Sequence, residues 1–324
     1  MGDFPGLTVR KSGCNYCRQS AGVGGPTGEE IMSRMRGLFV LAGFGCSLVM
    51  AGAAGADQPR RPPGKQPHSI AATAARALQG YAVVSSPQIA SPAGTQVYGS
   101  VQCPPGTVVL GGGVSDSSPS LQAGVNSSYP LGSQRGWQAY VNNVSDADAT
   151  FSVFATCAKQ PTGYRIVKKK FFMPRDLVIG GLVECPATLA TVGGGGYSSS
   201  RHPFVFINST YPIFTGRHSA WETEMSSTDV DSELTTYAIC ANRGLAGFHF
   251  TGVGGSNAAN AQSAATVTCL SPDAVAVGGG VWSSSKELGG RVNSSYPDGN
   301  AWKVKEINSS PRDERLVAFL ICLS

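Results

Sequence analysis

Three stretches of the chain are apolar almost without interruption: FSVFATCA at 151–158, TTYAICAN at 235–242 and LVAFLICLS at 316–324. Runs of this kind predict strands at the centre of a sheet. Ahead of each lies a segment that alternates in period two, WQAYVNN from 137, WETEMSS from 221 and WKVKEIN from 302. Such alternation predicts a strand with one buried face. Further upstream, TVVLGGGV (107–114) and AVAVGGGV (274–281) are strands running into glycines, which marks a bulge or the close approach of another backbone or ring. Cys-Pro, Tyr-Pro and Asp/Asn/Gly/Ser links divide these strands. The pattern predicts five or six short strands per unit and an all-β fold, with helix suggested only at IAATAARAL (70–78).

The units are repeats. Gly-aromatic pairs open them at Tyr81, Tyr164 and Phe248, and cysteines follow at Cys103, Cys185 and Cys269, 22, 21 and 21 residues on. A glycine run comes next, and from its first glycine to the asparagine of VNSSYP (125–130), INSTYP (207–212) or VNSSYP (292–297) is 15 residues each time. The tryptophans Trp137, Trp221 and Trp302 then precede the closing strands. Constant spacing over so many landmarks identifies one module of about 80 residues present three times, at 80–162, 163–246 and 247–324.

The residues before the repeats read differently. The segment 32–56 has Arg34 and Arg36, an apolar stretch and a small-x-small ending at Ala56, which predicts a signal peptide cleaved between Ala56 and Asp57. The glutamates Glu29 and Glu30 can be encoded by a ribosome-binding purine run, so translation is expected to start at Met32, with 1–31 an over-long start. Residues 57–79 read as a disordered arm or linker, rich in Pro and Arg at its start. Outside the leader six cysteines remain, two per module: Cys103 and Cys157, Cys185 and Cys240, Cys269 and Cys322. An even count in a secreted chain reads as disulfides, and repetition favours a pair within each module, though spacing alone does not fix the connectivity.

Composition narrows the chemistry. A net charge of +5 with only 14% charged residues gives no electrostatic footprint for nucleic acid. The one basic cluster, Lys168 to Lys170, reads as a solvated strand end. Paired cysteines leave no thiol for a nucleophile or a metal. None of His68, His202, His218 and His249 recurs between modules, although His202 and His218 flank the second phrase and could meet in space. The acidic string 221–233 (Glu222, Glu224, Asp229, Asp231, Glu233) lacks a calcium-loop signature. Neither a phosphate loop nor a nucleophile elbow is present. No enzymatic activity, cofactor or metal is therefore expected.

Two readings of the repeated phrase stay open. It is a strand ending in a turn that holds the module together, or it is a ligand site used three times. In the second case Tyr129, Tyr211 and Tyr296, with Trp137, Trp221 and Trp302, stack on sugar rings, and Asn126, Asn208 and Asn293 bond hydroxyls. The Asn-Ser-Ser/Thr strings are also glycosylation acceptors in form, as are Asn143 and Asn308.

The landmarks Gly80-Tyr81, Cys103-Pro104, Gly111 to Gly113, Ser128-Tyr129-Pro130, Gly136-Trp137 and Cys157, returning in Tyr237 to Ala241, resemble an extracellular module of bacterial secreted proteins. Similar modules sit at the ends of collagen-like or fibre-like chains, and the resemblance implies no activity. Module three departs from it, with Leu270 for the proline and Phe248 for the tyrosine. Cysteine and glycine placement is also similar, more faintly, to the three-sheet β-prism of egg-membrane proteins and some lectins. That likeness implies three modules closed about a pseudo-threefold axis, with tandem small β-sandwiches as the alternative. Short joins between modules favour close packing. The expected function is secreted, non-enzymatic adhesion or recognition at a cell surface or matrix, with a glycan or a surface protein as partner and no stable membrane insertion after signal cleavage. A carbohydrate-binding lectin and a purely structural coat or envelope component are the alternatives.

Overall fold

The structure, a computed structural model, describes residues 78–215, 218–245 and 248–324. The proposed start at Met32, the signal peptide with its cleavage after Ala56, and nearly all of the arm with its helical stretch lie outside these residues. Every regular element among the described residues is a strand.

Module one supplies β1 (Ala82–Ser85), β2 (Ile89–Ser91), β3 (Thr95–Gln102), β4 (Val108–Asp116), β5 (Ala123–Pro130), β6 (Gly136–Asn143) and β7 (Ala149–Ala158). Module two supplies β8 (Arg165–Met173), β9 (Leu177–Glu184), β10 (Leu189–Ser198), β11 (Val205–Thr215), β12 (His218–Ser227) and β13 (Ser232–Asn242). Module three supplies β14 (His249–Asn257), β15 (Ala261–Thr268), β16 (Val275–Ser283), β17 (Gly290–Asp298), β18 (Ala301–Asn308) and β19 (Glu314–Leu323). The continuous apolar runs are β7, β13 and β19, and the period-two segments are β6, β12 and β18, strands as the patterning predicts, although β7, β13 and β19 each lie one strand in from a sheet edge and not at its centre.

No module keeps its strands to itself. The first sheet runs β1-β7-β4-β17-β18-β15, with β2 also on β7, the second β3-β6-β5-β10-β13-β8, and the third β14-β19-β16-β11-β12-β9. Each sheet therefore joins half of one module to half of another, and each module straddles two sheets. Tandem sandwiches are excluded by this sharing. The three joints, β4 with β17, β10 with β5 and β16 with β11, pair modules one with three, two with one and three with two, which closes a ring.

The glycine runs explain how backbones meet at the joints. A methyl group on Gly111 would strike the Val277 carbonyl, one on Gly193 the Leu110 carbonyl, and one on Gly278 the Val192 carbonyl. These contacts pass from module to module around the axis. The next glycine of each run lies under a tryptophan ring, Gly112 under Trp137, Gly194 under Trp221 and Gly279 under Trp302. Only a residue without a side chain leaves room for both backbone and indole.

Corners are turned by a second device. Between β2 and β3, β8 and β9, and β14 and β15 the chain steps from the edge of one sheet to the edge of the next. Each corner has a left-handed residue, Gly94, Asp176 or Asn260. Each also has a backbone N–H, of Ala93, Arg175 or Ala259, that donates 2.9 Å to a carboxylate of Asp148, Asp231 or Asp313. Those aspartates all lie nine residues before the second cysteine of their module. Disulfides Cys103–Cys157, Cys185–Cys240 and Cys269–Cys322 then staple the sheets pairwise, second to first, third to second and first to third. Closing loops of 54, 55 and 53 residues stabilises by roughly 4 kcal/mol each in the loop-entropy account.

Candidate functional site

The repeated phrase sits on β5, β11 and β17, beside the joints. Its asparagine is the bulged residue of the strand, for the register of each shifts between Val125 and Ser127, Ile207 and Ser209, or Val292 and Ser294. The bulge aims the amide at the next module. Asn126 Nδ2 donates to the Val205 carbonyl at 2.9 Å, Asn208 Nδ2 to the Ser285 and Gly290 carbonyls at 3.2 Å each, and Asn293 Nδ2 to the Ser118 carbonyl at 3.1 Å. The following serine hydroxyl donates to its own asparagine Oδ1 and accepts a backbone N–H across the joint: Ser127 from Ser198 at 2.9 Å, Ser209 from Ser283 at 3.1 Å, Ser294 from Asp116 at 2.9 Å. The third residue accepts the indole N–H, Ser128 from Trp137 and Thr210 from Trp221 at 2.8 Å, and Ser295 from Trp302 at 2.9 Å.

The asparagines and tryptophans offer nothing to a ligand. Asn126, Asn208, Asn293, Trp137, Trp221 and Trp302 are at most 1% exposed, and their polar atoms are spent on the joint. Buried polar groups need such partners, since one left unpaired costs about 1–3 kcal/mol. A sugar site built on these six is corrected by their burial. Asn143 and Asn308 are buried too, each donating to two carbonyls, so no sequon asparagine is presented by the folded chain.

The tyrosines of the phrase point outward and pair across the joint. Tyr129 stacks on Tyr237 at 5.6 Å, Tyr211 on Phe319 at 5.7 Å and Tyr296 on Phe154 at 5.0 Å. Tyr211 is the most enclosed, its hydroxyl donating to Glu222 Oε2 at 2.7 Å, and burial pushes both pKa values up. Tyr129 and Tyr296 keep part of their surface in solvent. Two opening aromatics also serve the ring: Tyr81 donates to the Ala276 carbonyl at 2.6 Å and Tyr164 to the Val109 carbonyl at 2.9 Å. Phe248, which lacks that hydroxyl, packs edge-on against Phe214 instead.

The acidic string does not converge. Asp231 caps a corner, Glu233 pairs with Lys170, Glu224 with Lys286, and Glu222 with Tyr211. His202 precedes β11 whereas His218 lies at its far end, opposite Thr215, so the two do not meet. An open groove between the β8–β9 turn and the loops at 286–289 and 309–311 contains Lys286 and Glu287, the latter paired with Arg312.

Outward-facing residues that do not recur are a different matter, and sequence reasoning passed over them. On the second sheet Tyr98, Tyr140 and Tyr197 join Tyr129 and Tyr237 to give five tyrosines on one face. Their signal was ordinary strand alternation, which says that a residue points outward but not what lies beside it. Inside, Glu306 is fully buried with neither carboxylate oxygen partnered, and Arg291 lies with its guanidinium 4.4 Å over the Phe206 ring, beside the space left by Gly124. Comparison with protein-family models gives no match to this chain, and no curated protein matches it.

Proposed function

We propose that this is a secreted, non-enzymatic recognition protein that acts by adhesion at a cell surface or in an extracellular matrix. Export would follow from the leader at 32–56 with cleavage after Ala56. Three disulfides belong to an oxidising compartment, and no described helix is long and apolar enough to cross a membrane. The resemblance to an extracellular bacterial module points the same way.

The observation that carries the reading is a division of labour. Residues repeated in all three modules build the ring, whereas the outer faces differ, and one of them concentrates tyrosines. A rigid scaffold whose variable outer surface carries half-exposed aromatics suits binding, because tyrosine supplies contact area at little entropic cost. The test is retention of the folded, oxidised full chain on isolated cell envelopes and matrix material. Saturable retention that Tyr98→Ser weakens, with the thermal midpoint unchanged, is expected. Retention that never saturates, or none, contradicts the reading.

A further inference from the structure

We propose that the outer face of the second sheet binds an extended acidic polysaccharide along the tyrosine row that runs from Tyr98 to Lys168. The inference rests on the recognition reading and names its ligand class. Ring centroids form a continuous but staggered chain: Tyr98 to Tyr140 at 5.6 Å, Tyr140 to Tyr197 at 6.5 Å, Tyr197 back to Tyr129 on the intervening strand β5 at 5.0 Å, and Tyr129 across β10 to Tyr237 at 5.6 Å. Lys168 Nζ closes the row 5.8 Å from the Tyr237 centroid. All six strands of the sheet contribute one residue.

The fold does not require this row. By strand register, Tyr98 corresponds to Gly180 on the third sheet and Ala264 on the first, Tyr140 to Glu224 and Lys305, and Tyr197 to Trp282 and Ser115. The same backbone thus forms twice without these three tyrosines. Tyr98 is 63% exposed, and Phe172, on the strand that carries Lys168, is 69% exposed. Tyr98 stands where the other sheets carry Gly180 and Ala264, and a large side chain kept in solvent at such a position is not there for the core.

Shape and charge choose the occupant. Six strands span roughly 24 Å, with a strip that widens to about two rings where Tyr197 and Tyr129 are staggered. Such a strip falls far short of the roughly 800 Å² per partner of a stable protein interface. It is also a sheet face, not the concave pocket that encloses a small molecule. An extended chain of hydroxylated rings fits the strip, meeting phenol rings along its apolar faces and phenol hydroxyls along its polar ones. The row ends at the basic cluster, where Lys168 and Lys170 share the outward face of β8. Among the described residues the one carboxylate paired with it is Glu233, which holds Lys170 in an exposed pair. A pair of that kind is weak and exchanges for an anionic ligand. Carboxylate or sulfate groups on the polysaccharide complement this end of the row.

The experiment titrates the folded, oxidised full chain with heparin, with polygalacturonate and with neutral dextran. Saturable binding to at least one acidic polymer is expected, lost about tenfold in Tyr98→Ser and severalfold in Lys168→Gln, and weakened by added salt. The control Lys303→Gln, which removes a cation from the first sheet, is expected to leave affinity unchanged, and all variants to keep the thermal midpoint. Equal binding to dextran, or acidic binding indifferent to Tyr98 and Lys168, overturns the inference. So does no binding to any of the three polymers. If Tyr98-dependent retention on cell envelopes persists in that case, recognition stands and its ligand is of another class; if retention fails as well, the recognition reading falls with it.

Discussion

At position 306 a carboxyl group occupies the place that Val141 and Met225 fill in the other two modules. Burial pushes the Glu306 pKa up to about 8, and Glu314 and Glu224 add to this. Lys286 and the Ser283 hydroxyl pull the other way, the latter without a bond of ordinary geometry to either oxygen. The consequence has a definite sign. Between about pH 4.5 and 8 the unfolded chain releases this proton and the folded chain keeps it, so stability is full below that window and falls as the pH rises through it. Burial likewise raises Asp116 to about 6, which acts in the same direction at lower pH. Urea unfolding should therefore show a chain more stable at pH 5 than at pH 8.5, by a few kcal/mol. In Glu306→Val most of that difference should vanish, through a gain at the higher pH. An unchanged pH profile in the variant would mean that Glu306 ionises in the native state at little cost.

The strand is the scale at which the glycine runs are explained, and Gly194 on β10 shows both kinds of close approach at once. A methyl group there would meet both the Trp221 ring and the Tyr237 carbonyl. One neighbour is backbone and the other is a fully buried indole tied to Thr210, so neither can give way. Gly194→Ala is expected to destabilise by at least about 3 kcal/mol in chemical denaturation, at the upper end of overpacking effects. Gly132→Ala, with nothing within 4 Å, should be neutral. Equal midpoints for the two variants would contradict the packing described. The glycines of this run were legible in the sequence as a place of close approach, because their spacing recurs, but the approaching group was not. Period-two alternation placed Trp137, Trp221 and Trp302 on a strand without saying whether they faced a ligand or the core. The corner aspartates escaped notice because Asp231 sits within an acidic string, where its constant distance to the second cysteine is obscured. Glu306 could have been found by setting WKVKEIN under WQAYVNN and WETEMSS, where a carboxylate stands against valine and methionine.

Across the whole molecule, three repeats make one structure. Strand content could be read from the patterning to within one strand, since five or six were expected per module and the structure has seven, six and six. The sharing of every sheet by two modules could not. A strand's pattern records which face is buried, not which neighbour supplies the edge. The ring of joints follows from the phrase itself: Asn126 holds module two, Asn208 module three and Asn293 module one. A joint broken anywhere should then loosen the whole, unlike the nearest-neighbour behaviour of an open repeat array. Differential scanning calorimetry of Asn208→Ala beside the wild type, both oxidised, tests this most directly. A single transition is expected in both, with calorimetric and van't Hoff enthalpies equal and the variant's whole peak moved to lower temperature. A variant trace that splits, with one module melting early and the remainder unfolding at the wild-type temperature, would contradict the closed ring.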